Sequence, residues 1–262
     1  MAVCGAVACF ADPVPDKAIT VRVASYNVEF SRSTTPEQVG EMFRPYNLDI
    51  IGFNEVPDGN WTARVGTVLG MKHSYVGKIS SANHKDKYKA ILSRTPLEGT
   101  EEHEMWVNRG WNPSSVVRAV TEIGGVSIAF YSLHICASGK ENGHAYQLAT
   151  EILPKETKGQ VIIVGDYNNR IGDDAMNTIE AAGMRPTWKD LNIDLSKQFT
   201  YNALKPKEKN LGVIDHILYN PSSGASVMDG SIIELDKPLS DHKPIWAQIA
   251  FPQNVEKVKG SE

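Results

Sequence analysis

Along this chain short apolar, β-branched runs recur, and nearly every one stops at a polar or charged residue. Asn27 follows VRVASY, Glu55 follows DIIGFN, His134 follows IAFYSL, and Asp166 and Asn168 follow VIIVG. Asp215 lies inside VIDHIL, and Asp241 and His242 follow Leu239 and Ser240. Runs of this kind read as strands. In layered β folds the ends of neighbouring strands share a rim, and sites collect there. Each residue alone has a plain structural reading: Asn27 as a turn cap, Asp166 as the turn residue after Gly165, His134 as a satisfied core histidine. Asp215 resists such a reading, because an unpaired carboxylate inside a strand is costly to bury. It requires a cation or a donor such as histidine. Recurrence on separate strands makes coincidence a poor account.

The pattern between these points sets the fold class. Ile19 to Tyr26 alternates as a strand should. Thr35-Pro36-Glu37-Gln38 is a capping box with proline at the first helical position, which predicts a helix to about Arg44. Asp49 to Phe53 reads as a short buried strand, Asn60 to Leu69 as a helix and Ala90 to Ser93 as a strand. From Gly99 to Ser115 the pattern vanishes, so this segment reads as a loop carrying Trp106, Arg109 and Trp111. Val116 to Ile123 and Val126 to Leu133 are strands joined by Gly124-Gly125, a hairpin signal. Ala145 to Leu153 and Asp174 to Ala182 read as helices, the latter stopped by Gly183. Val161 to Val164, Val213 to Tyr219 and Ile245 to Phe251 complete the strands. Hairpins mix with crossovers, so a regular βαβ repeat is excluded. The pattern predicts a mixed-sheet α/β sandwich with helices outside. A chain of 262 residues suits one such domain, expected over residues 18–252.

The first eleven residues, MAVCGAVACFA, are apolar but shorter than the roughly 20 needed to span a bilayer. They read either as the back half of a secretory segment, with Cys9-Phe10-Ala11 as a loose cleavage site, or as a frayed terminus; a positively charged n-region is missing. Residues 1–17 are therefore expected to be a leader or its remnant and the protein to be exported, periplasmic or secreted; without a signal it is cytoplasmic. Residues 253–262 read as a loose polar tail. Lys and Arg total 27 against 31 Asp and Glu, a net charge of -4, which argues against a global electrostatic grip on nucleic acid. Three cysteines match neither a disulfide framework nor a zinc site.

Carboxylates and asparagine oxygens without thiolates suit a hard cation: Mg²⁺ or Mn²⁺, with Ca²⁺ a further candidate. Walker A, G-x-S-x-G and H-E-x-x-H motifs are absent from the sequence. Carboxylates, two asparagines and two histidines around such a metal suit in-line attack of water on a phosphate ester. ASYNVEF, IIGFNEV, AILSRTPL, YSLHI, IIVGDYNN, VIDHILYN and LSDHKPI occur in that order between about residues 20 and 250. Together they resemble the endonuclease/exonuclease/phosphatase superfamily. The resemblance implies the DNase-I-like fold, a four-layer α-β-β-α sandwich of two packed mixed β-sheets.

It also implies roles. Glu55 is the expected main metal carboxylate, with Asn27 beside it steering metal or phosphate, and Asp241 helping to place metal or water. Asp166 is expected to orient and deprotonate the attacking water. Asn168 would donate to the phosphate, and His242 would contact it and stabilise its developing charge. Asp215 would hold the His242 ring and keep it cationic. His134 would bind phosphate or protonate the leaving group. Departures from the common pattern are Asn54 before Glu55, His216 after Asp215, Lys89 before AILSR and a missing Arg before Gln147. They bear on substrate identity and remove no catalytic group.

The expected activity is divalent-metal-dependent hydrolysis of a small phosphomonoester or phosphodiester. The alternative is a Mg²⁺-dependent endonuclease or exonuclease on DNA or RNA, with duplex nucleic acid disfavoured by charge. Trp106, Arg109 and Trp111 could stack on or clamp an organic group; alternatively the tryptophans pin their loop to the core. Lys85, Lys87 and Lys89, like Lys205, Lys207 and Lys209, read by default as solvated loop charges. His73, His84, His103 and His144 read as surface histidines. A monomer without stable membrane insertion is expected.

Overall fold

The computed structural model describes residues 18–57, 59–107, 111–136, 143–209 and 211–253. The leader segment, Arg109 and residues 254–262 lie outside the described residues. Among the described residues there are twelve strands, most of them the apolar runs, and four α-helices. In chain order these are β1 (Ala18–Asn27), α1 (Pro36–Phe43), β2 (Ile50–Val56), α2 (Gly59–Leu69), β3 (His73–Val76), β4 (Tyr88–Ser93), β5 (Glu98–Met105) and β6 (Ser114–Ile123). They continue with β7 (Val126–His134), α3 (His144–Gln147), β8 (Gln160–Asp166), α4 (Asp174–Ala181), β9 (Arg185–Pro186), β10 (Asp215–Tyr219), β11 (Ser226–Ile232) and β12 (Ile245–Pro252). The capping box at α1 is formed: Thr35 accepts from the Gln38 N–H, and the Gln38 side chain accepts from the Thr35 N–H.

The strands make two six-stranded sheets, ordered β11-β12-β1-β2-β4-β3 and β5-β6-β7-β8-β10-β9. Each is mixed through one central parallel pair, β1 with β2 and β7 with β8; the other pairs are antiparallel. Three apolar layers follow from this stacking. Val21, Val23, Ile50, Phe130, Ile162, Val164 and Ile249 fill the space between the sheets. Val39, Phe43, Trp61 and Val65 of α1 and α2 cover the outer face of the first sheet through Ile51 and Phe53. Leu148, Met176 and Ile179 cover the second through Tyr131 and Ile163. The result is the four-layer α-β-β-α sandwich. Gly52 sets how closely the sheets meet, because a Cβ there would lie 2.2 Å from Val164 Cγ2.

Three sequence expectations fail. The segment Gly99 to Ser115 is not a loop throughout: its first part is edge strand β5 and its end opens β6. Glu98, Glu101, Glu102 and Glu104 hid β5, since an edge strand needs little apolar surface and charge guards its open side. His144 is fully buried, not a surface residue; its Nδ1 accepts from the Cys136 N–H, and burial pulls its pKa down to about 4. The lysine run is not solvated as a whole: Lys85 is exposed, but Lys89 is fully buried, donating to Ile79 O and Ser81 Oγ, and Lys87 reaches Glu55.

Candidate active site

Two parallel pairs side by side bring four strand ends to one rim. Asn27 closes β1 opposite Asn54 of β2, and His134 closes β7 opposite Asp166, the last residue of β8. Antiparallel β10 enters at the same level, with Asp215 paired to Asp166. Asn54 stitches the sheets beneath the rim. Its amide donates to Leu133 O at 2.7 Å and its carbonyl accepts from the Asp166 N–H at 3.0 Å. Local backbone does the aiming. Gly165 adopts φ +150°, where a Cβ would collide with Leu133 O. Glu55 and Asn168 hold left-handed backbone at φ 55° and 50°, which L residues adopt at a cost of about 1–2 kcal/mol. Such strain concentrates where side-chain direction matters.

Asp166 is the centre of the arrangement. It accepts from Asn27 Nδ2 at 3.0 Å and from the Asn168 N–H at 2.9 Å. His134 Nε2 lies 3.3 Å and His242 Nε2 3.5 Å from its Oδ2. Burial alone would raise this carboxyl, but the charges of His242 and His134 outweigh it and hold Asp166 well below the usual carboxylate range. The other His242 nitrogen, Nδ1, donates to Asp215 Oδ2 at 2.9 Å. Burial opposes the His242 charge, yet Asp215, Asp166 and Asp241 overcome it and lift its pKa to about 10. The ring is therefore a cation at neutral pH.

Asp166, Asp215 and His242 present ligand atoms all within 4.8 Å of one another, a buried group that could hold a metal ion. A cationic imidazole, however, carries protons on both nitrogens and has no lone pair to give. The three side chains already form an ion-pair relay through His242, although Asp215 Oδ1 is left buried without a partner. The hard-cation donors lie to one side. The Asp241 carboxyl is pushed up by burial and, against the pull of His242, by the charges of Glu29 and Glu55. Glu29, 8 % exposed, leaves its buried Oε2 without a partner. Oxygen donors with surplus negative charge fit a hard divalent cation. Glu29 was not visible as a site residue in the sequence; three successive left-handed residues, Glu29, Phe30 and Ser31, turn it into the rim.

Asn27, Glu55, His134, Asp166, Asn168, Asp215, Asp241 and His242 are thus brought together, while Arg109 lies outside the described residues; two differences stand out. One Asn168 amide N–H is committed to Ile135 O at 2.8 Å, leaving its second hydrogen for a ligand. The tryptophans part company. Trp111 packs edge-on against His134, ring centroids 4.3 Å apart. Trp106 is 56 % exposed, its indole N–H donates to Glu104, and its backbone is clasped by Gln147. On the far side Tyr201, which no apolar run marks in the sequence, places its ring centroid 5.0 Å from that of His242.

Similar folds are found among solved structures. An endonuclease/exonuclease/phosphatase family protein from Bacteroides thetaiotaomicron is 17% identical with a TM-score of 0.70, covering 90% of this chain and 96% of its own. The mannosyl-6-phosphatase of Bacteroides thetaiotaomicron VPI-5482 is 17% identical with a TM-score of 0.64, covering 88% and 100%. D. rerio TDP2 complexed with single strand DNA product is 15% identical with a TM-score of 0.65, covering 88% and 98%. No curated protein sequence matches. The sequence profile described as "Endonuclease/Exonuclease/phosphatase family" matches residues 24–242. The chain belongs to that family and is a metal-dependent hydrolase of phosphoric ester bonds.

Proposed function

We propose that the enzyme hydrolyses a small phosphomonoester or phosphodiester with Mg²⁺ as its metal. One observation carries the reading: Asp166 is a buried carboxylate oriented by two hydrogen-bond donors and faced by two imidazoles. Glu55, Asp241 and Glu29 would hold the metal, which supplies Lewis-acid polarisation of a phosphoryl oxygen. Asp166 aligns a water molecule and takes its proton as the new P–O bond forms. The His242 cation donates its Nε2–H to a phosphoryl oxygen, while Asp215 fixes the ring through Nδ1–H. The second Asn168 N–H donates to the same group. The bond to the leaving oxygen breaks, and His134 binds the departing phosphate or returns a proton to the alcohol. Trp111 holds the His134 ring and offers an aromatic wall to the organic part.

The net charge of -4 supports a small substrate. So does the shared fold of a mannosyl-6-phosphatase. The shared fold of TDP2 with a single strand DNA product favours a second reading, a phosphodiester in nucleic acid. Initial rates with Mg²⁺ and with Mn²⁺ decide between them, using an aryl phosphomonoester, the matching phosphodiester and supercoiled DNA, each with an EDTA control. Turnover of the aryl esters with intact plasmid is expected. Rapid nicking would favour the nuclease reading, and activity insensitive to EDTA would overturn the metal-dependent mechanism.

A further inference from the structure

Lys87 sits where the proposed mechanism has no use for it. Its Nζ donates to Glu55 Oε1 at 2.9 Å, and the two side chains are only 15 % and 8 % exposed. The same ammonium lies 5.5 Å from the Phe30 ring centroid and 5.8 Å from that of Trp111. This is no wandering surface chain. The Lys87 N–H donates to Ser80 Oγ, and the Lys87 carbonyl accepts from the Ser81 N–H. Buried Lys89 grips the same loop at Ile79 O and Ser81 Oγ. Ala82 N–H ties it to Pro113 O, beside Trp111.

The geometry points to Lys87 as the resident cation of the metal-free site, a competitor that a divalent ion must displace from Glu55. The inference rests on the reading of Glu55 as a metal ligand. A buried carboxylate without a counter-charge is costly, and Lys87 supplies one. A divalent ion on Glu55 repels the ammonium at close range in a low-dielectric rim. The ammonium has a second resting place ready: two aromatic faces already within cation–π reach, which stabilise a lysine displaced from its carboxylate. Lys87 thereby lowers metal affinity while keeping the empty site folded. Once displaced, it adds positive charge at the mouth of the phosphate site.

The test is isothermal titration of the full-length, EDTA-stripped protein with MgCl₂ and with MnCl₂ at fixed pH and ionic strength. Lys87→Gln is expected to bind either metal on the order of tenfold more tightly than wild type. Lys85→Gln changes the net charge equally but has an exposed side chain, and should stay within about twofold of wild type. Thermal melts give a second readout. Metal-free Lys87→Gln should melt lower than wild type, and added metal should raise its melting point more. A merely structural lysine would give the opposite, weaker metal binding on its removal. Should Lys87→Gln not fold, Lys87→Arg carries the test. Its bidentate guanidinium grips Glu55 harder, so metal should bind more weakly than to wild type. Affinities unchanged by either Lys87 substitution, in an enzyme that still needs metal, overturn this inference alone. A wild type that binds no divalent metal overturns it together with the reading of Glu55.

Discussion

Replacing Asp215 by Asn tests the electrostatic heart of the site. The substitution keeps a hydrogen-bonding side chain 2.9 Å from His242 Nδ1 but removes the charge. Unit charges about 4 Å apart at an effective dielectric near 20 interact by about 4 kcal/mol, close to three pKa units. Asp166 and Asp241 still face the ring, so the His242 pKa should fall from about 10 to between about 7 and 8. The direct assay follows the His242 Cε1 proton by NMR against pH in metal-free protein. Stability gives an independent readout. The folded pKa of His242 is raised from 6.5, so its contribution is complete below pH 6.5 and is lost as pH rises toward 10. At 1.36 kcal/mol per unit, that shift is worth up to about 5 kcal/mol. Burial pulls the Lys89 ammonium down to about 8, which adds an opposite slope between there and 10.5. That slope is common to both proteins, so the difference between them is the quantity to read. The stability lost by Asp215→Asn, from urea unfolding, should shrink steadily between about pH 8 and 10. A ring that still titrates near 10 in Asp215→Asn, or a pH-independent difference, would refute the argument.

Other expectations follow from single contacts. Gly52→Ala should cost about 1–3 kcal/mol in urea unfolding with an unchanged denaturant slope, because the new Cβ meets Val164 and Ser132 across the sheets. Asp166→Asn and His242→Ala should each lower kcat/KM by about three orders of magnitude, and the double variant by little more, since the two groups act on one phosphate. Multiplying effects in the double variant would mean that they serve separate sites. Trp111→Ala should raise KM for an aryl ester about tenfold, while Trp106→Ala leaves it unchanged, because only Trp111 touches a phosphate-facing histidine.

What could be read from the sequence, and what could not, divides along a physical line. Asn27, Glu55, His134, Asp166 and Asp215 were legible because each interrupts or ends an apolar run, and strand pairing then carries them to a common rim without further information. A mixed-sheet sandwich with helices outside follows from the same runs. Its division into two packed sheets is what the family resemblance implies, and the central parallel pairs come from the structure. Edge strands were not legible. β5 carries four glutamates and a histidine, with its one buried side chain, Met105, at its very end, and β9 is two residues long. Loop residues stayed silent for another reason. Glu29 owes its place to a left-handed turn that no periodicity encodes, and Lys87 owes its place to a loop knitted through Ser80, Ser81 and Lys89. Lys89 itself carried a signal, a lone lysine inside YKAILS, which is tolerable only if something caps its ammonium. The capping groups, Ile79 O and Ser81 Oγ, belong to the segment that delivers Lys87 to Glu55. A buried lysine in a strand is thus a mark of an ordered loop beside it, as a polar residue at a strand end is a mark of a rim. The strands position the phosphate chemistry, and the loop they anchor sets the charge that chemistry works against.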